Sequence, residues 1–254
     1  METVNILWTG GLDSTYRVLE LSRLPVIIKP YYIWDKTRGS IKQELNAMKK
    51  ISHDIAVNPA TKAKLLPVNV VMDSDIKDDS EITNAWKVLN DKYALGSQYD
   101  YLARFAKQNG LKLEVGIECS ERSKASNTIK KETSIHIHNS LRGGYSAYFV
   151  DPSKSSYEGG LVFKDLLLPA TLWNMSKLGE IEKYKEWGYK KTINKTWFCH
   201  RPVFGMPCGH CNPCKDCLNE GLAFRVPKFG YILGGLRGKW QAVKYHTKKC
   251  CSIR

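Results

Sequence analysis

Two short runs in this chain carry residue types able to bind or activate a ligand, at informative spacing. The first is 5-NILWTGGLDSTYRVL-19, where Thr9-Gly10-Gly11-Leu12-Asp13-Ser14-Thr15 separates an apolar run from an amphipathic segment. Glycines between a strand and a helix let backbone N–H groups approach phosphate oxygens with no Cβ in the way. A helix beginning at Ser14 adds unpaired N–H groups and the positive end of its dipole. The Thr9 and Ser14 hydroxyls can donate further bonds, and Asp13 can orient the loop or help hold Mg²⁺. A Walker loop is excluded, since Gly-x-x-x-x-Gly-Lys does not occur. The plain alternative is an ordinary strand-turn-helix with a Gly-Gly turn and an Asp/Ser cap.

The second run is 196-TWFCHRPVFGMPCGHCNPCKDCLNEGLAF-224. Cys199-x8-Cys208-x2-Cys211-x2-Cys214 supplies four thiolates with two Cys-x-x-Cys turns. Two intervening residues let a tight turn aim both sulfurs at one ion, and Zn²⁺ favours four such ligands in a tetrahedron. Gly209 and Pro213 are the turn residues expected there. Zinc is preferred to an iron–sulfur cluster or redox thiols, while His200 and His210 lie close enough in sequence to replace a thiolate. Cys217 extends the series by another two-residue step and is expected to be a spare thiol beside the site. A closed four-sulfur site has no position for water, so the metal is assigned a structural role.

These runs need elements to position them. Strands are expected at Val4–Trp8, Val26–Trp34, Val68–Val71, Leu111–Ile117 and Val162–Leu168. Helices are expected at Ser14–Leu24, Ser40–Ile51, Thr83–Leu89, Tyr99–Gln108 and Ser176–Trp187. Pro30 places the second strand near an edge or bulge, and Asn127–Gly160 reads as less regular. The alternation implies a Rossmann-like α/β fold, a parallel sheet flanked by helices. The first loop then lies at the carboxyl edge of that sheet, where such folds bind ligands. Glycines, prolines and cysteines accumulate after Thr196, so the reading divides the chain into a nucleotide-binding domain (1–190) and a small metal-held module with a basic tail (191–254).

The 254 residues carry a net charge of +14, with lysines scattered rather than blocked. That charge suits solubility or attraction to polyanions such as nucleotide phosphates or RNA, and does not by itself define an RNA binder. No apolar run approaches the ~20 residues of a membrane span, and the opening Met-Glu-Thr-Val-Asn lacks signal-peptide character. A cytoplasmic protein is therefore expected, in which clustered cysteines hold metal rather than form disulfides. Cys119 reads as a buried filler. Cys250 and Cys251 sit in a Lys-rich tail that fits no prenylation pattern, and His136 and His138 form a weak candidate metal pair on one strand face.

The first run resembles the PP-loop of ATP pyrophosphatases, Ser-Gly-Gly-x-Asp-Ser, with Thr9 at the first position. Taken with the cysteine spacing, it resembles the 7-cyano-7-deazaguanine synthase family over most of the chain. Tyr32-Ile33-Trp34-Asp35-Lys36-Thr37-Arg38-Gly39-Ser40 with Glu44-Leu45 looks like that family's second strand and the segment after it. Leu168-Pro169, Ser176-Lys177 and Thr196-Trp197-Phe198-Cys199 look like its later motifs. The resemblance implies an adenine nucleotide alpha hydrolase type of fold and a ligase. ATP is cleaved between its α and β phosphates, a carboxylate is adenylated, and a nitrogen nucleophile displaces AMP. The implied cofactors are ATP, Mg²⁺ and Zn²⁺. Leu7, Trp8, Thr9, Gly10, Gly11, Leu12, Asp13, Ser14, Thr15 and Arg38 would bind the nucleotide. Asp13, Ser14 and Lys177 would be catalytic, and Gly96, Ser97, Gln98 and Glu118 would meet the substrate.

The chain departs from the family where Gly96-Ser97-Gln98 replaces Gly-Arg-Asn, and where no Tyr-Pro-Asp-Cys-Arg follows Glu118. The implied partner is a small 7-deazaguanine acid, with no membrane role, and a homodimer is compatible with the sequence. Defence-associated relatives suggest a protein amine from the same operon as an alternative nucleophile. A tRNA-modifying enzyme and a zinc-stabilised nucleotide-binding module without turnover are further alternatives.

Overall fold

The computed structural model describes residues 1–36, 38–139 and 144–237. Thr37, Gly143, Cys250, Cys251 and the rest of the basic tail lie outside the described residues. Alternation of apolar β-branched runs with amphipathic segments yields β1 (Glu2–Leu7), α1 (Leu12–Ser22), β2 (Val26–Trp34), α2 (Ile41–Val57), β3 (Lys64–Leu65) and β4 (Asn69–Met72). Then follow α3 (Ser80–Tyr93), α4 (Gln98–Gln108), β5 (Leu113–Glu114), α5 (Lys124–Glu132), β6 (Ser134–Asn139) and β7 (Ser146–Asp151). The chain continues through α6 (Tyr157–Phe163), β8 (Leu166–Pro169), α7 (Ala170–Trp173), α8 (Lys177–Glu186) and α9 (Asn212–Asn219).

The strands form one mixed, mostly parallel sheet in the order β3-β2-β1-β5-β8-β7-β6, with β4 also paired to β2. Pairings from β3 and β4 through to β8 are parallel, whereas β7 runs antiparallel to β8 and β6 antiparallel to β7. Apolar residues cover both faces, as a parallel sheet packed between helices requires. Alternate residues of β2 feed opposite layers. Val26, Ile28 and Tyr32 join a core with α1 and α2, while Tyr31 and Ile33 join one with α3 and α4. Cys217, Leu222 and Val226 of the cysteine-rich segment are buried in the first of these cores. Among the described residues, no helix is long and apolar enough to cross a membrane.

β1 sends its chain through α1 to β2 on one side, while β5 lies on its other side. The carboxyl ends of β1 and β5 therefore flank the point where strand order reverses, the crevice where open α/β sheets hold ligands.

Three expectations are corrected. The apolar run expected as a strand at Val162–Leu168 is divided between α6, capped by Ser156 accepting from the Gly159 N–H at 3.0 Å, and β8. A short apolar run has no periodicity to separate the two. The described residues of Asn127–Gly160 are largely regular, containing most of α5, the β6–β7 pair and the start of α6. Pro30 lies in an interior strand, paired opposite Ile6. Its carbonyl accepts from Asn69 Nδ2 at 3.2 Å, so its missing N–H faces the gap where β2 changes partner from β3 to β4. No ladder bond is lost there.

Helix α1 is tied to β5 by a fully buried, two-pronged ion pair. Arg17 Nε and Nη2 each donate to a Glu114 carboxylate oxygen at 2.7 Å, and Nη1 reaches Glu20 at 2.6 Å. Removing one partner of such a pair strands a charge in the interior. Arg17→Ala should lower the unfolding free energy by about 3–5 kcal/mol in urea denaturation. Arg17→Lys should recover only part of it, because an ammonium cannot form the paired contact.

Candidate functional site

The loop between β1 and α1 is closed by its own hydroxyls. Thr9 N–H donates to Ser14 Oγ at 3.3 Å, and the two hydroxyl oxygens lie 3.2 Å apart. Gly10 has φ +69°, and a Cβ there would lie 3.0 Å from the Glu44 carbonyl oxygen, so only glycine fits. The Gly10 carbonyl accepts from the Trp197 N–H at 2.8 Å, which joins the loop to the cysteine-rich segment. Beneath the loop, buried Trp8 donates from Nε1 to Thr15 Oγ1 at 3.0 Å. No side chain caps α1, so the N–H groups of its first turn have no side-chain acceptor.

That turn opens on a cavity of about 420 Å³. The first turns of α1, α4, α8 and α9 and the Ser123 cap of α5 all contribute to its lining. Ser123 and Ser176 already cap α5 and α8, whereas the uncapped first turn of α1 suits an anion. Lys177, the first residue of α8, places its ammonium among three carboxylates: it pairs with Asp13, with Glu118 at 2.9 Å and with Glu180 at 3.2 Å. Burial opposes charge on Lys177, but Asp13, Glu180 and Glu118 outweigh it and hold the pKa well above the ordinary lysine value. Glu180 is fully buried and its second carboxylate oxygen has no hydrogen-bond partner. Burial, reinforced by the Asp13 charge, raises its pKa well above the usual carboxylate range. Asp13 and Glu118 line the cavity itself and offer hard oxygen donors to a divalent cation such as Mg²⁺.

A second cavity of about 770 Å³ adjoins the first, and Arg38, Gln98 and His200 line both. Its other charged groups are Arg201, Arg237 and Asp35. His200 accepts from Arg38 Nη2 at 3.3 Å, and burial lowers the His200 pKa. Arg38 also lies 3.8 Å from buried Glu44, which accepts from Tyr32 Oη at 2.8 Å and Ser40 Oγ at 2.5 Å.

Of the residues expected to bind nucleotide, Leu7, Thr9, Gly11, Leu12, Asp13, Ser14 and Arg38 line the smaller cavity. Trp8, Gly10 and Thr15 support the loop from behind. Glu118 lines the same cavity, Gly96 and Ser97 line the larger one, and Gln98 lines both. Sequence reading missed Glu180 and Arg225. Glu180 follows Lys177 at the three-residue spacing that pairs helical side chains, a signal available in the sequence. Arg225 carried no such signal.

The Sγ atoms of Cys199, Cys208, Cys211 and Cys214 lie within 4.8 Å of one another. Three of their separations are 3.4, 3.8 and 3.9 Å. A zinc–sulfur distance of about 2.3 Å gives tetrahedral edges near ~3.8 Å, so the donor set fits an ion such as zinc. Backbone N–H groups of Cys208 and His210 donate to the Cys199 and Cys208 sulfurs at 3.2 and 3.4 Å. His210 turns away to donate from Nε2 to the Tyr231 carbonyl at 2.7 Å, and Cys217 donates to the Leu222 carbonyl at 3.2 Å. Among the described residues no other set of three or more His, Cys, Asp or Glu side chains converges this closely.

Residues 228–237 are helical and press against this knuckle. A Cβ at Gly234 would collide with the Cys208 carbonyl oxygen and lie 2.9 Å from the His210 ring. No protein-family model matches the chain, and no curated protein matches it at a significant level.

Two outcomes follow from this geometry. The purified protein should carry about one zinc per chain, lost in Cys211→Ser and equally in Gly234→Val, which touches no sulfur; metal analysis and thermal melting check both. Glu180 has a raised folded-state pKa, so its stabilising contribution is complete below the unfolded carboxylate value and disappears as pH rises through the folded one. Glu180→Gln should therefore flatten the loss of melting temperature as pH rises above the ordinary carboxylate range, leaving melts below that range nearly unchanged.

Proposed function

We propose that this chain is a PP-loop type ligase that uses ATP and Mg²⁺ to adenylate a carboxylic acid and pass the acyl group to a nitrogen nucleophile. The observation that carries this reading is the capless amino end of α1, with its Thr9–Ser14 loop, facing a cavity shared with four other helix amino ends. Such an array favours a departing pyrophosphate more than the bound triphosphate, because charge develops on the leaving group. In the first step a substrate carboxylate oxygen attacks the α phosphorus and the bond to the β phosphate breaks. In the second a nitrogen lone pair attacks the acyl carbon, AMP leaves with the C–O electrons, and the nitrogen gives up its proton.

Lys177 supplies a permanent positive charge at the cavity wall, and Asp13 and Glu118 would hold Mg²⁺. When bound, Mg²⁺ neutralises phosphate charge and acts as a Lewis acid. The four-cysteine site keeps the Thr196–Phe198 segment beside the loop and takes no part in the chemistry. The acid favoured by the resemblance is 7-carboxy-7-deazaguanine, with ammonia giving the amide and, after a second activation, the nitrile. The arginine-bearing larger cavity supports a bulkier alternative, in which a protein amine is the acceptor; intact mass of a co-expressed partner would show that adduct. The +14 charge supports tRNA as a third substrate class, which requires salt-dependent binding.

Incubation with ATP, Mg²⁺, the acid and ammonia should release AMP and pyrophosphate and yield an amide detectable by mass. Lys177→Ala should reduce turnover by about 10²–10³-fold. Release of neither AMP nor an adenylated or amidated product would count against the proposal.

A further inference from the structure

The smaller cavity that holds the acidic cluster is also lined by a guanidinium with no ion-pair partner among the described residues. Arg225 closes the short 3-10 turn Ala223–Arg225 that follows α9, and it lines the cavity. Its Nη2 donates to the Thr196 hydroxyl at 2.5 Å and to the Thr196 carbonyl at 3.1 Å. The guanidinium lies over the Phe198 ring, 4.5 Å from its centroid. Thr196 and Phe198 flank Trp197, whose N–H holds the Gly10 carbonyl, so one backbone segment fixes this guanidinium relative to the loop.

Arg17, Arg38, Arg104, Lys177 and Lys195 each form an ion pair, whereas Arg225 has none among the described residues. Burial lowers its pKa, outweighing the attraction of Cys217, Tyr184, Asp13 and Glu180. A desolvated guanidinium with free donors gains most from an oxyanion that accepts its planar fork. Its stacking on Phe198 and its bonds to Thr196 restrain it, so little side-chain freedom is lost when a ligand arrives.

We infer that Arg225 is an oxyanion-binding residue of this cavity, receiving a phosphoryl or carboxylate group of a ligand whose other end meets the loop at Thr9–Ser14. The inference rests on the nucleotide reading given above. The two walls then divide the anion between backbone N–H groups on one side and a fixed guanidinium on the other.

Calorimetric titration of the full-length protein with ATP, AMP, pyrophosphate and 7-carboxy-7-deazaguanine, each with Mg²⁺, tests it. Arg225→Ala should weaken at least one of these ligands by about tenfold to a hundredfold, as loss of charge-assisted bonds does. Arg225→Lys should restore little of that loss, since an ammonium neither forks nor stacks in the same way. Thr196→Val, which frees the fork while keeping the charge, should fall between, and it decides the matter if Arg225→Ala melts early or loses metal. A loss shared by ATP and AMP but not pyrophosphate identifies the α-phosphoryl group. A loss that includes pyrophosphate identifies the leaving phosphates, and a loss confined to the acid identifies its carboxylate. Each of these outcomes supports the assignment. Unchanged affinity for all four ligands in folded, metal-loaded Arg225 variants would overturn it while leaving the nucleotide reading intact. A wild-type chain that binds neither nucleotide nor pyrophosphate removes both.

Discussion

The paired contact between Arg17 and Glu114 sets the geometry on which the rest of this molecule depends. Arg17 lies on the second turn of α1, and Glu114 ends β5, the strand on the far side of the reversal point. Two parallel bonds fix rotation as well as distance, so the amino end of α1 is held at one angle to the strand that delivers Glu118. A hydrophobic contact would permit sliding between helix and strand. This one does not, and the loop at Gly10 inherits that rigidity.

Around the resulting crevice the protein balances opposite charges at short range. The open first turn of α1 favours an anion, while Asp13 and Glu118 disfavour one until a cation intervenes. Lys177 neutralises part of that acidity, and burial disfavours the charged form of Glu180. The site is thus neither a simple anion hole nor a simple cation cage. Its chemistry suits a ligand that brings both signs together.

The features legible in the sequence were those encoded locally. A strand, two glycines and a helix within fifteen residues reveal the loop, and the two-residue cysteine spacing reveals the metal knuckle. The alternation of β and α patterns was enough for the class of fold. What escaped was whatever depends on distant partners. Leu161, Val162 and Phe163 are equally apolar in a helix or a strand, and only packing between α3, α5 and β8 decides for the helix. Pro30 reads as an edge residue because sequence cannot show that its neighbour changes partway along β2. Arg225 forms no ion pair among the described residues, and a missing partner leaves no mark on a linear chain.

Arg38, Gln98 and His200 belong to the walls of both cavities. A partition shared by two chambers carries a thermodynamic obligation. Any occupant of one that shifts these side chains alters affinity in the other, and linkage makes the factor identical in both directions. Selection at that partition therefore acts on the pair of occupants together, and neither preference can be retuned while the other stays fixed.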